Sequence, residues 1–214
     1  MRTKIFLRYG LLMIALCGSG CTLFKTTPDR TRLFDIGFSG EQATVSSIEG
    51  AKICLVLNNF PDYLDGPQMI TKIGQHELKS NPRYRWARPL SETILHIVRR
   101  KLQQNFPNVC IYEFPKDSAG KVDFTLQLDV DGLKICEMGQ QVIFVGTWAF
   151  LDGKQGYINR SDFEFRESFS DAPDHYEKIV SQVEQVILHL SDVLIKEMDL
   201  ILLKRTLKNK PIND

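Results

Sequence analysis

Three rhythms of apolar and polar residues divide this chain. Near the N-terminus the apolar run Tyr9 to Leu16 is unbroken and follows the cations Arg2, Lys4 and Arg8. Further along, short runs alternate or stay apolar for a strand's length. Leu33 to Phe38 predicts a first strand, before a polar loop carrying Gly37, Gly40 and Gly50. Lys52 to Leu57 is almost wholly apolar, which suits a strand covered on both faces. Asn58 to Gln68 is dense in Pro, Asp, Asn and Gly and predicts a loop. Met69 to Leu78 reads as a strand closed by a turn at Ser80-Asn81-Pro82, and Val109 to Phe114 as another. From Val122 to Ile135, Phe124, Leu126, Leu128 and Val130 alternate with Asp123, Gln127, Asp129 and Asp131, as in a strand with one wet face. Gln141 to Leu151 and Tyr157 to Phe169 continue the pattern around a hairpin turn at Asp152 to Gly156, predicting an antiparallel meander.

The third rhythm is helical. Leu90, Ile94, Ile97, Val98 and Leu102 fall on one face behind Pro89, whose missing N–H is harmless in a first turn. Tyr176, Ile179, Val180, Val183, Ile187, Leu190, Leu194, Met198 and Ile201 form the stripe of a second helix, expected from about Pro173 to Leu203. The expected architecture is α+β: a mostly antiparallel sheet with two main helices packed on one face, an α/β sandwich.

The first run is too short to span a bilayer, which takes roughly 20 apolar residues. A positive start, a short apolar core and Gly18-Ser19-Gly20 make a signal peptide over 1–20. Cys21 directly follows the small residues, and the arrangement resembles a bacterial lipobox, although Gly18 stands where Leu is usual. That resemblance implies a diacylglyceryl group on the Cys21 thiol. Buried acyl carbons contribute about 0.8 kcal/mol each, so such an anchor holds a protein at a membrane without a spanning helix. Thr22, in place of the Asp associated with inner-membrane retention, implies the outer membrane. The expected organisation is then a lipidated tether over 21–32, one domain over 33–203 and a loose basic tail over 204–214.

Charge narrows the function classes. The 214-residue chain has a formal charge of +1, and the signal peptide holds three cations and no acids. The remaining body is slightly acidic, with no excess of cations for phosphates, so nucleic acid is not an expected partner. Cys54, Cys110 and Cys136 are widely spaced, form no C-x-x-C pair and sit in strand-like runs, where buried apolar roles or one disulfide are the alternatives. No G-x-S-x-G, H-E-x-x-H or phosphate loop is present. Asp129 and Asp131 share a predicted strand face, which is better explained by solvation than by a cation. No catalytic residue, metal or cofactor is assigned. Phe60, Tyr63 and Leu64 place apolar groups in a polar loop, and Trp86 and Arg88 stand before the first helix. Such residues either plug the ends of the sandwich or contact a partner.

Several of these stretches together resemble the ABC-type transport auxiliary lipoproteins, which include the paraquat-inducible C lipoprotein. The matching residues are Pro61, Tyr63-Leu64 and Pro67-Gln68-Met69-Ile70; Arg85-Trp86-Ala87-Arg88-Pro89-Leu90; Gly146-Thr147-Trp148-Ala149-Phe150-Leu151; and Leu190-Ser191. Cys54 to Asn59 departs from the Val-Gly-Pro-Val usual there. The resemblance implies a non-enzymatic envelope protein, lipid-anchored on the periplasmic side. Its expected partners are an MCE-domain protein and an inner-membrane transporter complex, with possible homo-oligomers. A periplasmic lipoprotein hydrolase and a ring-forming structural lipoprotein of a secretion system are the competing readings.

Overall fold

The computed structural model describes residues 30–37, 50–114, 120–170 and 175–208. The signal peptide, Cys21, most of the tether, Phe38 and the glycine loop beyond Gly37, Pro173 and residues 209–214 lie outside them. Eight strands and two long helices follow in the order β1 (Arg32–Phe34), β2 (Lys52–Asn59), β3 (Gln68–Lys72), β4 (Leu78–Trp86), α1 (Leu90–Asn105), β5 (Cys110–Phe114), β6 (Phe124–Cys136), β7 (Gln141–Asp152), β8 (Tyr157–Ser168) and α2 (His175–Lys208). The α+β expectation holds: the long ladders are the antiparallel β6–β7 and β7–β8 pairs, and parallel pairs join β1 to β4 and β2 to both β5 and β6.

The centre of the sheet is β6. One of its edges carries β7 along its whole length. The opposite edge is divided: β2 pairs with the stretch from Phe124 to Asp129, and β3 meets it only at Lys72 and Cys136. The sheet therefore forks, with β2–β5 on one branch and β3–β4–β1 on the other. Helix α1 lies against β2 and β5, and α2 against β7, β8 and α1. Ile94, Ile97, Val98 and Leu102 of α1 and Ile179, Val183, Ile187, Leu190 and Leu194 of α2 are fully buried against the sheet. Each such aliphatic side chain contributes about 1.5–3 kcal/mol on burial. Ser191 is also fully buried because its hydroxyl donates to the Ile187 carbonyl one turn back.

Four expectations need correction. The alternation of β6 is not continuous to Ile135. Its core positions are Phe124, Leu126, Leu128 and Val130, then Leu133 and Ile135. A β-bulge between Val130 and Gly132 inserts Asp131 and shifts the parity, so Asp129 and Asp131 are not simple same-face neighbours. Second, Ser80-Asn81-Pro82 lies inside β4, and the chain reverses earlier, where the Ile73 N–H donates to the Glu77 carbonyl. The register between β3 and β4 jumps from Gln68–Arg85 to Met69–Asn81, so Pro82 falls where no ladder bond is needed from it. Third, α2 continues past Leu203 to Lys208, into the stretch expected as loose tail. Fourth, the three body cysteines form no disulfide and are not buried hydrophobes; Cys110 is exposed, and Cys54 and Cys136 are half-buried.

The bulge also explains a glycine. Gly146 pairs with Val130 across the ladder, and a Cβ there would stand 2.2 Å from the Asp129 carbonyl oxygen and 2.8 Å from the Phe163 ring. Only a residue without a side chain lets β7 pass the bulge.

Candidate functional site

The loop between β2 and β3 begins at Phe60, half-buried against the core, and tightens into a 3₁₀ turn over Asp62–Leu64. Leu64 is 4% exposed and Trp86 5%, both within the main core. The Trp86 N–H donates to the Pro67 carbonyl at 2.8 Å, and the Ala87 N–H to the Phe34 carbonyl at 2.8 Å. These bonds stitch the loop, β1 and the entrance of α1 together. Pro89 at the helix start has no side chain able to cap it. Asp65 takes that role from the neighbouring loop, accepting from the Ser91 N–H at 3.1 Å. Of the five residues expected to contact a partner, the structure buries Leu64 and Trp86 and half-buries Phe60. It leaves Tyr63 at 47% exposure and Arg88 at the surface, paired with Asp35 at 2.9 Å. The loop is thus a packed junction with one exposed aromatic.

A second feature was missed by sequence reasoning. Between α2 and β8 runs a groove made of two adjoining hollows, of about 890 and 440 Å³, that share Asn159 and Glu197. On the helix side stand Val193, Glu197, Leu200 and Lys204, spaced so that they form one stripe of α2. Leu200 is 51% exposed. The floor includes the buried Trp148 and Phe163 in the smaller hollow and Phe124 and Ile201 in the larger. The signal available in the sequence was the apolar Leu200 and Leu203 beside the main stripe of α2, which a wheel drawn for core packing passes over.

Charge in the larger hollow is uneven. Its carboxylates are engaged: Asp123 accepts from Arg205 at 2.7 Å and from the Lys52 N–H at 2.9 Å. Asp152 accepts from the Lys154 and Gly156 N–H groups, and Glu197 from Asn159 at 2.8 Å. Arg205 holds the Asp123 carboxyl below its ordinary range, chiefly by that hydrogen bond. Its guanidinium also sits 5.3 Å from the centre of the Phe124 ring. The ammonium groups of Lys121, Lys154 and Lys204 have no ion pair or hydrogen bond among the described residues. Asp152 and Glu197 keep their charges, so three ammonium groups against two carboxylates leave this end of the groove weakly basic.

A family model described as the ABC-type transport auxiliary lipoprotein component matches residues 40–194. The chain belongs to that family. Among solved structures, this auxiliary lipoprotein is similar to protein XCC0632 from Xanthomonas campestris at 13% identity and a TM-score of 0.67, covering 84% of this chain and 100% of that one. It is also similar to an uncharacterized protein at 18% identity and a TM-score of 0.58, covering 74% and 99% of the two chains. At such identities the likeness is one of fold. Comparison with individually curated proteins finds no match. The family's stretches now have structural reasons: Trp86 seals the entrance of α1, Gly146 clears the bulge, and Ser191 is the buried hydroxyl of α2.

Proposed function

We propose that the chain is a lipid-anchored accessory of an envelope lipid transporter, fixed to the outer membrane through Cys21 and binding an MCE-domain protein that leads to an inner-membrane ABC complex. The family match carries this reading, because it spans residues 40–194 and so most of the folded body. The lipobox-like Gly18-Ser19-Gly20-Cys21 supports the anchor. The stretch from Thr22 to Arg32 would extend on the order of 35 Å at about 3.5 Å per residue, enough for the body to stand off the bilayer and meet a partner. The body works by gripping another protein and not by turning over a substrate. Tyr63 and Arg88 are the surface contacts proposed on the loop side, with Phe60, Leu64 and Trp86 supporting them from beneath.

The test is metabolic palmitate labelling of wild type and Cys21→Ala, followed by cross-linking and recovery from membranes. Wild type is expected to carry label and to bring down the MCE-domain protein; Cys21→Ala loses the label and leaves the membrane fraction. An unlabelled wild-type chain, or a labelled one cross-linked to no transporter component, would overturn the reading.

A further inference from the structure

The geometry points to strand addition: we infer that an extended, acid-ended segment of a partner protein pairs with the free edge of β8 and lies in the groove against α2. This deepens the docking role proposed above and rests on it for the partner's identity, while the groove itself stands without it.

Strand β8 spans twelve residues, Tyr157–Ser168, and among the described residues it pairs only with β7. Its other edge presents backbone N–H and C=O groups with no strand to receive them. Natural proteins blunt such edges by shortness, proline, charged side chains (lysine above all) or a cover. This strand has neither Pro nor Lys, and it is about twice the usual length of five or six residues. It does carry charged side chains, several of them engaged: Asp162 accepts from the Thr147 hydroxyl at 2.8 Å, Arg166 pairs with Glu164 on the same strand, and Glu167 stands 3.4 Å from His189 of α2.

Every residue from Asn159 to Phe165 lines the smaller hollow. Neighbouring side chains of a strand point to opposite faces, so an unbroken run can border a hollow only if the hollow follows the strand's edge. The opposite wall is the helix stripe Val193, Glu197, Leu200 and Lys204. An edge strand facing a helix across a groove is the geometry in which a peptide adds one more strand. Its backbone bonds to the edge, and alternate side chains enter the groove.

Charge selects the occupant. Lys121, Lys154 and Lys204 gather at one end and outnumber Asp152 and Glu197, whose charges their neutral N–H donors do not cancel, while Asp123 is paired with Arg205. A segment carrying Asp, Glu or a terminal carboxylate at that end complements them. Among the described residues, the chain's other two edge strands do not. β1 begins with Arg32, and the single charge within β5 is the buried Glu113. A second copy adding through either strand would bring no acid from it to the basic end, whereas a second copy's β8 carries Asp162, Glu164 and Glu167, so self-association through β8 is one outcome of the experiment.

The experiment is selection of a display library of random peptides, roughly ten residues long to match the groove at about 3.3 Å per residue, on the immobilised folded chain. A Leu200→Arg/Val193→Arg double variant, confirmed folded by circular dichroism, is the blocked control. The expected peptides are rich in β-branched residues and acidic at one end. Individually synthesised, they bind wild type at least 10-fold more tightly than the blocked variant and the Lys154→Glu/Lys204→Glu variant. Methylating alternate backbone nitrogens along one edge of the peptide removes binding, and added salt weakens it. Selection that enriches nothing over the blocked control would overturn the inference. So would peptides indifferent to N-methylation on either edge, retention of wild type on phosphatidylglycerol vesicles through Lys154 and Lys204 without peptide selection, or a wild-type chain that sediments as a dimer which Leu200→Arg/Val193→Arg dissociates. An empty selection leaves the transporter reading standing, and failure to recover a transporter component leaves the groove result standing.

Discussion

The β6–β7–β8 meander and the β3–β4–β1 branch are held to the rest of the molecule in different ways. From β6 through β7 to β8 the ladders are continuous, and α2 lies over them. The β3–β4–β1 branch joins the same central strand at one residue pair, Lys72 with Cys136. Side chains make up the difference. Thr71 donates to Glu137 at 2.6 Å, Asn81 donates to the Tyr176 hydroxyl at 2.8 Å, and the Tyr84 and Tyr176 rings stack at 3.6 Å. At the outer end of the branch Arg32 pairs with Glu177 of α2 at 2.7 Å. A region fastened by backbone ladders opens only with the whole fold, whereas one fastened by a few side chains can open alone.

The largest test strikes the ladder side. Gly146→Val is expected to cost about 3 kcal/mol or more, because the added carbon meets a backbone oxygen that cannot move without dissolving the bulge. A fall in the urea midpoint with all probes moving together would fit one cooperative unit. A folded variant of unchanged midpoint would show that the β6–β7 register is looser than described. Trp86→Ala, where the branch meets the core, should cost about 3 kcal/mol through the cavity it leaves. If Trp86→Ala instead keeps wild-type stability and loses only partner recovery, the indole is a contact and not a plug.

A smaller and more discriminating change is Tyr176→Ala. It removes the stacked ring and the hydroxyl that receives Asn81, at an expected cost of about 2 kcal/mol. The distribution of that cost matters more than its size. Hydrogen exchange should quicken in β3 and β4 while β6, β7 and β8 keep their protection. Uniform quickening would mean that the branch and the main ladders open together, and the contrast between them would be lost.

The same contrast separates what could be read from the sequence. The meander was legible because β6 alternates from Phe124 to Val130 and the turn residues Asp152 to Gly156 mark the hairpin, and the apolar spacing of both helices pointed to their buried faces. The branch was not, because a polar strand with Ser80-Asn81-Pro82 inside it looks like a turn until β3 and the Tyr176 hydroxyl supply partners from far along the chain. Asp131 hid the bulge: a single aspartate continues a polar alternation and does not announce an insertion. At the loop, residue type drew attention to Trp86 and Leu64, yet exposure, which decides between plug and contact, is set by tertiary packing. The groove was illegible for a related reason. It is made by the free edge of a strand, and whether a strand is central or at an edge is a property of sheet order and not of local pattern.

The smallest predicted effect lies at the basic end of that groove, where β6 begins and α2 is close to its end. Asp123 is bound to Arg205, and the folded state therefore favours its carboxylate over the acid. A group held below its ordinary value binds fewer protons folded than unfolded, so stability rises with pH across the interval between the two values. The contribution is complete above about pH 4, the ordinary value for an aspartate. It is lost as pH falls through the lowered folded value. Both side chains are about a third exposed, so screening keeps the pair to about 0.5 kcal/mol. Asp123→Asn should accordingly lower the unfolding midpoint slightly at pH 7 and converge with wild type at acidic pH, with the difference shrinking in high salt. An equal deficit at both pH values would assign the loss to packing beneath Arg205 and Phe124, and the carboxylate's charge would then play no part in holding the last turns of α2 to the start of β6.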